Sequence, residues 1–172
     1  MLGSHGKRLK RKPWEESIHV PGILRYPAKV KAGQVSDAFI SHVDLAPTFA
    51  SLCGVKPPAD MQGADLAGLI LGKTRQGPDS AFFQIFVPYA GDGTEFPWRG
   101  VRTDRYMYAR SEQEPWVLYD LQNDIAEKTN VADQHPDIAA RISAYLQTAR
   151  TAMPEWEPKW RTGKRAARAR KS

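Results

Sequence analysis

Thirteen glycines and thirteen prolines divide this chain of 172 residues into short segments. Because proline breaks helix interiors and glycine weakens them, this pattern argues against a bundle of long helices. An apolar fraction of 41% and five tryptophans nevertheless predict a folded core. We therefore expect one compact unit, or one unit with an appendage, built from short elements joined by many turns.

The chain contains one cysteine, Cys53, so it forms no intrachain disulfide and offers no cysteine cluster to a metal. The helical spacing of Cys53 from other apolar residues predicts a core residue rather than a reactive thiol. The sequence has no run of about 18 apolar residues and so predicts no membrane span. These features fit any compartment, and the sequence does not indicate a localisation.

The formal net charge of +6 is concentrated at the C-terminal end. Residues 158–172 carry seven lysines and arginines and no acidic residue, so the rest of the chain has a net charge of about −1 (+6 minus +7). Such a composition predicts a basic disordered tail over residues 154–172. The alternative is a binding module whose tail engages nucleic acid or anionic lipid, but the folded part lacks the basic character of a nucleic-acid-binding domain.

Three segments of the first half carry secondary-structure signals. The apolar run Pro21–Pro27 is bracketed by prolines and predicts a short buried strand. A helix is predicted with Asp44 as its N-cap, Pro47 in its first turn and Gly54 at its end. Its predicted buried face consists of Leu45, Phe49, Leu52 and Cys53. A second, short helix is predicted within residues 64–72.

The second half predicts a small antiparallel sheet followed by a helix. Residues 80–87 are rich in aromatic and apolar side chains, and residues 99–110 and 114–121 have the pattern of paired strands. Pro136 suits the first position of a final helix that should pack on the sheet. The predicted apolar stripe of that helix consists of Ile138, Ile142, Tyr145, Leu146 and Ala149.

The first sixteen residues concentrate charge. They contain His5, Lys7, Arg8, Lys10, Arg11, Lys12, Glu15 and Glu16. Cations at this density must be solvated, paired or facing an anion. The segment is therefore either a solvated basic loop or an anion site, in which a lysine faces a phosphate or sulfate oxygen and a histidine takes part in proton transfer. Charge alone leaves both alternatives open.

The order of residues in this segment resembles a known family. His5-Gly6, Lys10, "PWEESI" and Val20-Pro21 are similar to the "HGxxxK…P(Y/W)EES(I)xVP" stretch of the sulfatase family, in the alkaline phosphatase superfamily. Later segments also resemble that family, so that the resemblance covers roughly residues 1–150. It implies an α/β fold with the truncated end of a large domain over 1–78. A small C-terminal subdomain would follow over 79–153, with a small antiparallel sheet packed by a C-terminal helix.

The resemblance also implies residue roles. Lys10 matches the family's sulfate-contacting lysine, and His5 matches a histidine close to the substrate that positions or protonates it. The basic spacer between them departs from the family pattern and leaves open whether Lys10 or a neighbour faces the sulfate. Glu15 and Glu16 are expected to be structural, pairing with local cations or capping. Arg102, like Arg99, either reaches an anionic substrate or is exposed for solubility.

Two parts of the family's chemistry have no counterpart in this sequence. Sulfatases use a formylglycine, made from Cys or Ser in a C/S-x-P-x-R motif, and a calcium ion that polarises the sulfate oxygens. Neither Cys53 nor Ser4 begins such a motif. The resemblance places the calcium ligands upstream of Met1, so no metal ligand is assigned here. Asp44 and Asp120 are expected to serve in a helix cap and in a turn at a strand end.

The function predicted is that of the C-terminal region of a sulfuric ester hydrolase, an arylsulfatase-like enzyme that in complete form acts on a sulfated small molecule or glycan. The isolated chain is expected to be inactive, with the missing N-terminal half on a separate chain or upstream of a misassigned start. The alternatives are a phosphonate monoester hydrolase or phosphodiesterase of the same superfamily, and a non-catalytic fragment with an anion-binding tail. The substrate itself is not predicted, because a likeness of fold does not choose one.

Overall fold

The computed structural model describes residues 1–7, 10, 12–85, 96–111 and 114–151. Within these residues the elements are the 3₁₀ turn Ser4–Gly6, α1 (Glu15–Ile18), α2 (His42–Leu52), α3 (Ala67–Ile70), β1 (Ser80–Ile85), β2 (Trp98–Thr103), β3 (Tyr106–Arg110), β4 (Pro115–Asp120) and α4 (Pro136–Thr151). The predicted tail, 154–172, and the last two residues of the predicted strand 80–87 lie outside the described residues. No described helix is both long enough and apolar enough to cross a membrane.

The four strands form one antiparallel sheet in chain order, β1-β2-β3-β4. Val101 of β2 pairs with Tyr108 of β3, which pairs with Leu118 of β4, and all three are fully buried. Because side chains alternate between the faces of a strand, Met107 and Ala109 belong to the opposite face, where they are also buried. The predicted small antiparallel sheet is confirmed.

Two layers cover the two faces of this sheet. α4 packs on one face and contributes Ala139, Ile142 and Leu146 to the core there. Trp14 covers the other face and packs with buried residues of the strands and their ends, namely Trp98, Met107, Ala109, Val117, Tyr119 and Leu121. The opening segment of the chain is therefore one layer of the core, which positions its charged residues against the sheet.

The predicted final helix is confirmed in its start at Pro136 and in its packing on the sheet. Of its predicted stripe, Ile142 and Leu146 are buried and Ile138 is half-buried. Tyr145 is half-exposed instead, with its hydroxyl 2.8 Å from the Ser80 hydroxyl. The side chain of Ala149 lies outside the described part of the structure.

The strand predicted over Pro21–Pro27 does not form, and that prediction is wrong. The segment has no regular secondary structure, and Ile23 is 95% exposed. A strand needs a hydrogen-bonded neighbour, and none of the described strands pairs with these residues. Apolar composition alone therefore misjudged this segment.

Helix α2 forms where it was predicted, and Gly54 follows its end with a φ of 79°, which is the left-handed conformation that favours glycine. Its start differs from the prediction. Ser41 is the N-cap, and Asp44 lies three residues later, where it completes a capping box with Ser41. Pro47 is consequently the sixth residue of the helix, in the second turn rather than the first.

The predicted buried face of α2 is also wrong. Leu45, Phe49 and Cys53 are exposed. The buried side chains are Asp44, Pro47 and Thr48, which face the segment before α3. There Asp44 Oδ1 accepts the Ala64 N–H at 2.8 Å, and Thr48 Oγ1 accepts the Leu66 N–H at 2.9 Å. Hydrogen bonds to this polar backbone, rather than apolar packing, decided which face α2 buries.

Candidate functional site

The opening segment is held on the sheet by Trp14. Its ring is 8% exposed, and its indole Nε1 donates to the Tyr119 hydroxyl at 3.1 Å. The Trp116 ring packs edge-on against it, at 6.1 Å between centroids. Residues on either side of Trp14 close a tight turn, since the Lys12 N–H donates to Ser17 Oγ at 3.0 Å. The charged residues that flank Trp14 are thereby fixed relative to β4.

Glu15 joins the opening segment to the sheet. Its Oε1 pairs with Arg102 Nε of β2 at 2.9 Å, and its Oε2 lies 3.3 Å from His19 Nδ1. The structural role expected for Glu15 is confirmed by these contacts. Arg102 is largely buried in this pair, so it is not exposed for solubility, and its contact with a substrate stays a prediction.

His5 has a fixed ring at the surface of this arrangement. Its backbone takes a left-handed conformation, with a φ of 53°, between two glycines that also have positive φ at positions 3 and 6. The imidazole stacks on Trp14, at 4.9 Å between centroids and 13° between planes. His5 Nε2 lies 3.4 Å from Glu16 Oε2. The ring is therefore oriented by an aromatic surface and by a carboxylate.

The lysines of the opening segment differ in exposure. Lys10 is exposed and forms no ion pair with another residue that the structure describes. Lys12 is 1% exposed and belongs to the interior, which removes it from the lysines that could face a substrate. Arg8 and Arg11, two other candidates from the basic spacer, lie outside the described residues. Lys7 is half-buried, and the role of Lys10 stays a prediction.

Glu127 was not singled out by the sequence. It follows β4 in a turn, is 1% exposed, and its Oε2 accepts the Glu15 N–H at 2.8 Å. Burial raises the pKa of Glu127 to about 7, and the neighbouring Glu15 and Glu16 charges act in the same direction. The Glu15 N–H and the Arg102 guanidinium oppose this and lower the pKa. No local signal marks this residue, because a glutamate in a polar turn normally faces solvent.

His5, Glu16 and Glu127 come together in space. Each offers one ligand atom, and these three atoms lie within 4.8 Å of one another. They are the one such group of three in the part of the chain that the structure describes. One nitrogen and two carboxylates do not fit calcium, which takes six to eight oxygen ligands. This group of three is therefore not the calcium site that the sulfatase resemblance implies.

A family model described as "N-sulphoglucosamine sulphohydrolase, C-terminal" matches residues 3–152 of this chain. The match begins before His5 and runs through the opening segment, the sheet and α4. It therefore includes both residues, His5 and Lys10, to which the sequence assigned roles.

Curated relatives agree with this match. An N-acetylglucosamine-6-O-sulfatase of Bacteroides thetaiotaomicron is 34% identical over 134 residues, which are 76% of this chain and 24% of that protein. The steryl-sulfatase of Homo sapiens is 41% identical over 91 residues, which are 51% of this chain and 16% of that protein. The chain spans about a quarter of the length of the first relatives it matches.

Solved structures confirm the predicted alkaline-phosphatase-like sulfatase fold. BT4656, solved in complex with its substrate D-glucosamine-2-N,6-O-disulfate, superposes with a TM-score of 0.77 at 28% identity, over 88% of this chain and 32% of that one. The phosphonate monoester hydrolase of Agrobacterium radiobacter superposes with a TM-score of 0.59 at 25% identity, over 70% of this chain and 26% of that one.

Proposed function

The chain belongs to the sulfatase family, as a C-terminal portion of its alkaline-phosphatase-like fold, and from this premise we propose that the complete protein hydrolyses a sulfate ester. The observation that carries the proposal is the family match over residues 3–152, which includes the opening segment. Sulfated sugars are the proposed substrate class. Two similar proteins support this class: one relative is named an N-acetylglucosamine-6-O-sulfatase, and one similar structure was solved in complex with a disulfated glucosamine.

Lys10 is proposed to contact a sulfate oxygen. A dianionic transition state needs cations, and an ammonium supplies one as a compact point charge. Two features support this role: Lys10 is exposed, and it forms no ion pair with another described residue. Its charge is thus available to an anion that binds from solution.

His5 is proposed to position the substrate or to protonate the leaving alcohol. A leaving alkoxide needs a proton donor, and histidine can give up a proton near neutral pH. The stack on Trp14 and the 3.4 Å contact with Glu16 support this role, because a proton donor must be held in one orientation. Glu16 is in this view a positioning residue.

The nucleophile and the calcium ion are proposed to come from the rest of the fold. When bound, calcium would polarise the sulfate oxygens. The present sequence contains no C/S-x-P-x-R motif, and the group of three possible metal ligands among its described residues contains a histidine, which calcium does not favour. We propose that residues 1–78 are the end of a large domain and that residues 79–153 form a small C-terminal subdomain.

A surface for the rest of the fold is proposed on residues 20–61. The described residues in this range expose ten large apolar side chains: Val20, Ile23, Leu24, Val35, Ile40, Val43, Leu45, Phe49, Val55 and Met61. After residue 61, the exposed large apolar side chains of the described part are Ile125 and Tyr145. Exposed apolar side chains concentrated in one stretch of the chain fit a surface that another part of the fold covers. We name residues 20–61 the apolar face.

The proposal is tested by reconstitution. The chain would be joined to the preceding part of the Bacteroides thetaiotaomicron N-acetylglucosamine-6-O-sulfatase, matured to formylglycine, and supplied with calcium. Release of sulfate would be measured from 4-nitrophenyl sulfate and from 6-O-sulfated N-acetylglucosamine. We expect turnover by the joined protein and none by the chain alone. Lys10→Ala should lower kcat/KM by about 10²–10³-fold and His5→Gln by about 10²–10⁴-fold.

Lys73→Ala, at an exposed lysine outside both the opening segment and the apolar face, is the matched control and should leave turnover unchanged. Sulfate release by the chain alone would contradict the proposal that the nucleophile lies elsewhere. A joined protein that prefers phosphonate monoesters to sulfate esters would favour the second candidate function, which the fold likeness to phosphonate monoester hydrolase suggests.

A further inference from the structure

One oxygen of the buried Glu127 carboxylate lacks a hydrogen-bond partner. Oε2 accepts the Glu15 N–H, but Oε1 has no partner among the described residues and is itself out of contact with solvent. Leaving a buried acceptor unsatisfied costs free energy, and a carboxylate is the most expensive group to leave so. The unsatisfied Oε1 therefore points to a partner from outside the chain that contacts this oxygen.

The groups beside Glu127 have the chemistry of metal ligands. His5 offers an imidazole nitrogen, Glu16 a carboxylate oxygen, and both lie within 4.8 Å of a Glu127 carboxylate oxygen. Without a cation, two carboxylates at this distance repel each other unless one is protonated. Burial is the main cause that raises the pKa of Glu127 to about 7, and the Glu15 and Glu16 charges add to it in the same direction.

One of the three separations between ligand atoms already suits a small tetrahedral cation. Bonds of about 2.0–2.1 Å in a tetrahedron separate the ligand atoms by roughly 3.3 Å. His5 Nε2 and Glu16 Oε2 are already 3.4 Å apart. The Glu16 side chain is 45% exposed, so a shift of its carboxylate toward Glu127 would require no movement of the core.

The ligands are also held by contacts around them. Trp14 orients the His5 ring, and the Glu15 N–H fixes one oxygen of Glu127, which leaves the other oxygen available. Metal-binding side chains are usually oriented in this way by neighbouring groups. Two of the three ligand groups, His5 and Glu127, are thus oriented by contacts within the chain.

We propose that His5, Glu16 and Glu127 bind a divalent transition metal, with Zn²⁺ as the best match. One imidazole and two carboxylates favour zinc over calcium or magnesium, which take oxygen ligands throughout. Three protein ligands leave a fourth position for water or an anion. This site does not depend on the proposed sulfate-ester hydrolysis, and it is distinct from the calcium that hydrolysis would need. It shares His5 with the proposed active site, so zinc bound to the imidazole nitrogen that faces Glu16 would stop that nitrogen from donating a proton to a leaving alcohol.

The test uses the full chain of 172 residues. Because the exposed Cys53 thiol could itself bind zinc, the background variant is Cys53→Ser. Zn²⁺ would be titrated in competition with a chromophoric chelator, and Co²⁺ would report the ligand geometry through its visible spectrum. We expect one tightly bound equivalent. Changing an outer-shell partner of a metal site typically weakens metal binding by about 10–100-fold. Because Glu16 and Glu127 are proposed to bind zinc directly, Glu16→Gln and Glu127→Gln should each weaken zinc binding by more than this.

His42→Gln is the matched control, since His42 is an exposed histidine of α2 outside the cluster. Circular dichroism would show whether each variant is folded. Glu16 is half-exposed, so Glu16→Gln keeps the test decisive even if Glu127→Gln unfolds the chain. The proposal is overturned if the Cys53→Ser chain binds no zinc, if binding survives Glu16→Gln, or if His42→Gln removes it. Failure of the reconstituted sulfatase would leave these results unchanged, so the two proposals fail separately.

Discussion

Glu127 occupies its buried position through a left-handed backbone conformation, with a φ of 51°, in the turn after β4. The charged groups around it are Glu15 and Glu16 from the opening segment, Arg102 from β2 and, when protonated, His5. Burial raises its pKa from the usual 4.5 to about 7. Between these two values the folded chain binds more protons than the unfolded chain, so Glu127 makes stability fall as pH rises.

We predict that Glu127→Gln removes this pH dependence. In metal-free buffer with EDTA, the free energy of unfolding of the unmodified chain should fall relative to that of the variant as pH rises from about 4.5 to above 7, by up to about 3 kcal/mol. Urea denaturation of both proteins at pH 5 and pH 8 measures the difference. Other titrating groups cancel in this comparison. Equal changes in the two proteins would contradict the raised pKa.

The hydrogen bond between Trp14 and Tyr119 gives a second prediction. Tyr119→Phe would leave the buried indole N–H of Trp14 without its acceptor and should destabilise the chain by about 1–3 kcal/mol in urea denaturation followed by tryptophan fluorescence. Tyr145→Phe is the control, because its hydroxyl contact with Ser80 is exposed, and it should change stability by less than about 0.5 kcal/mol. Equal effects of the two substitutions would contradict the conclusion that the hydrogen bond from Trp14 to Tyr119 stabilises the chain.

At the scale of elements, α2 and the segment before α3 meet too closely for a side chain at Gly63. A Cβ there would lie 1.9 Å from the Val43 carbonyl oxygen. Gly63→Ala should therefore push α2 away from this segment and cost about 1–3 kcal/mol. Because Asp44 and Thr48 bind the Ala64 and Leu66 amides, those two amides should exchange with solvent faster.

Hydrogen exchange followed by NMR measures this effect, and Gly22→Ala is its control. A Cβ at Gly22 would meet no atom within 4 Å, so that substitution should leave exchange at Ala64 and Leu66 unchanged. Because α2 contacts α3 and α4 contacts the sheet, amides of β3 should keep their protection in Gly63→Ala. Loss of protection throughout the sheet would show that the two parts unfold together.

At the scale of the whole molecule, the apolar face sets how the isolated chain behaves. Exposed apolar surface of this extent favours association, so the chain alone should self-associate as its concentration rises. The double substitution Ile23→Ser and Phe49→Ser should shift it toward the monomer in sedimentation velocity. Ile125→Ser, at an exposed apolar residue outside the face, should not. A chain that is monomeric at all concentrations would contradict the proposed surface.

Much of the second half of the fold followed from local patterns. The strands of the sheet alternate or carry aromatic residues, and α4 begins at a proline and repeats apolar residues at helical spacing. The order of motifs also identified the family, which the comparisons confirm. The roles of Lys10 and His5, implied by the same resemblance, stay predictions until the reconstituted enzyme is assayed.

Local sequence patterns and the tertiary structure decided different features of this protein. The sequence by itself determined the strands of the antiparallel sheet and helix α4, because each is marked by a pattern within its own segment. Only the tertiary structure decided that Pro21–Pro27 forms no strand and that α2 buries Asp44 and Thr48 rather than Leu45 and Phe49. It also decided that Glu127 lies beside His5 and Glu16. These outcomes depend on partners far away in the chain, and no spacing within a segment encodes which distant backbone group or charge will be its neighbour.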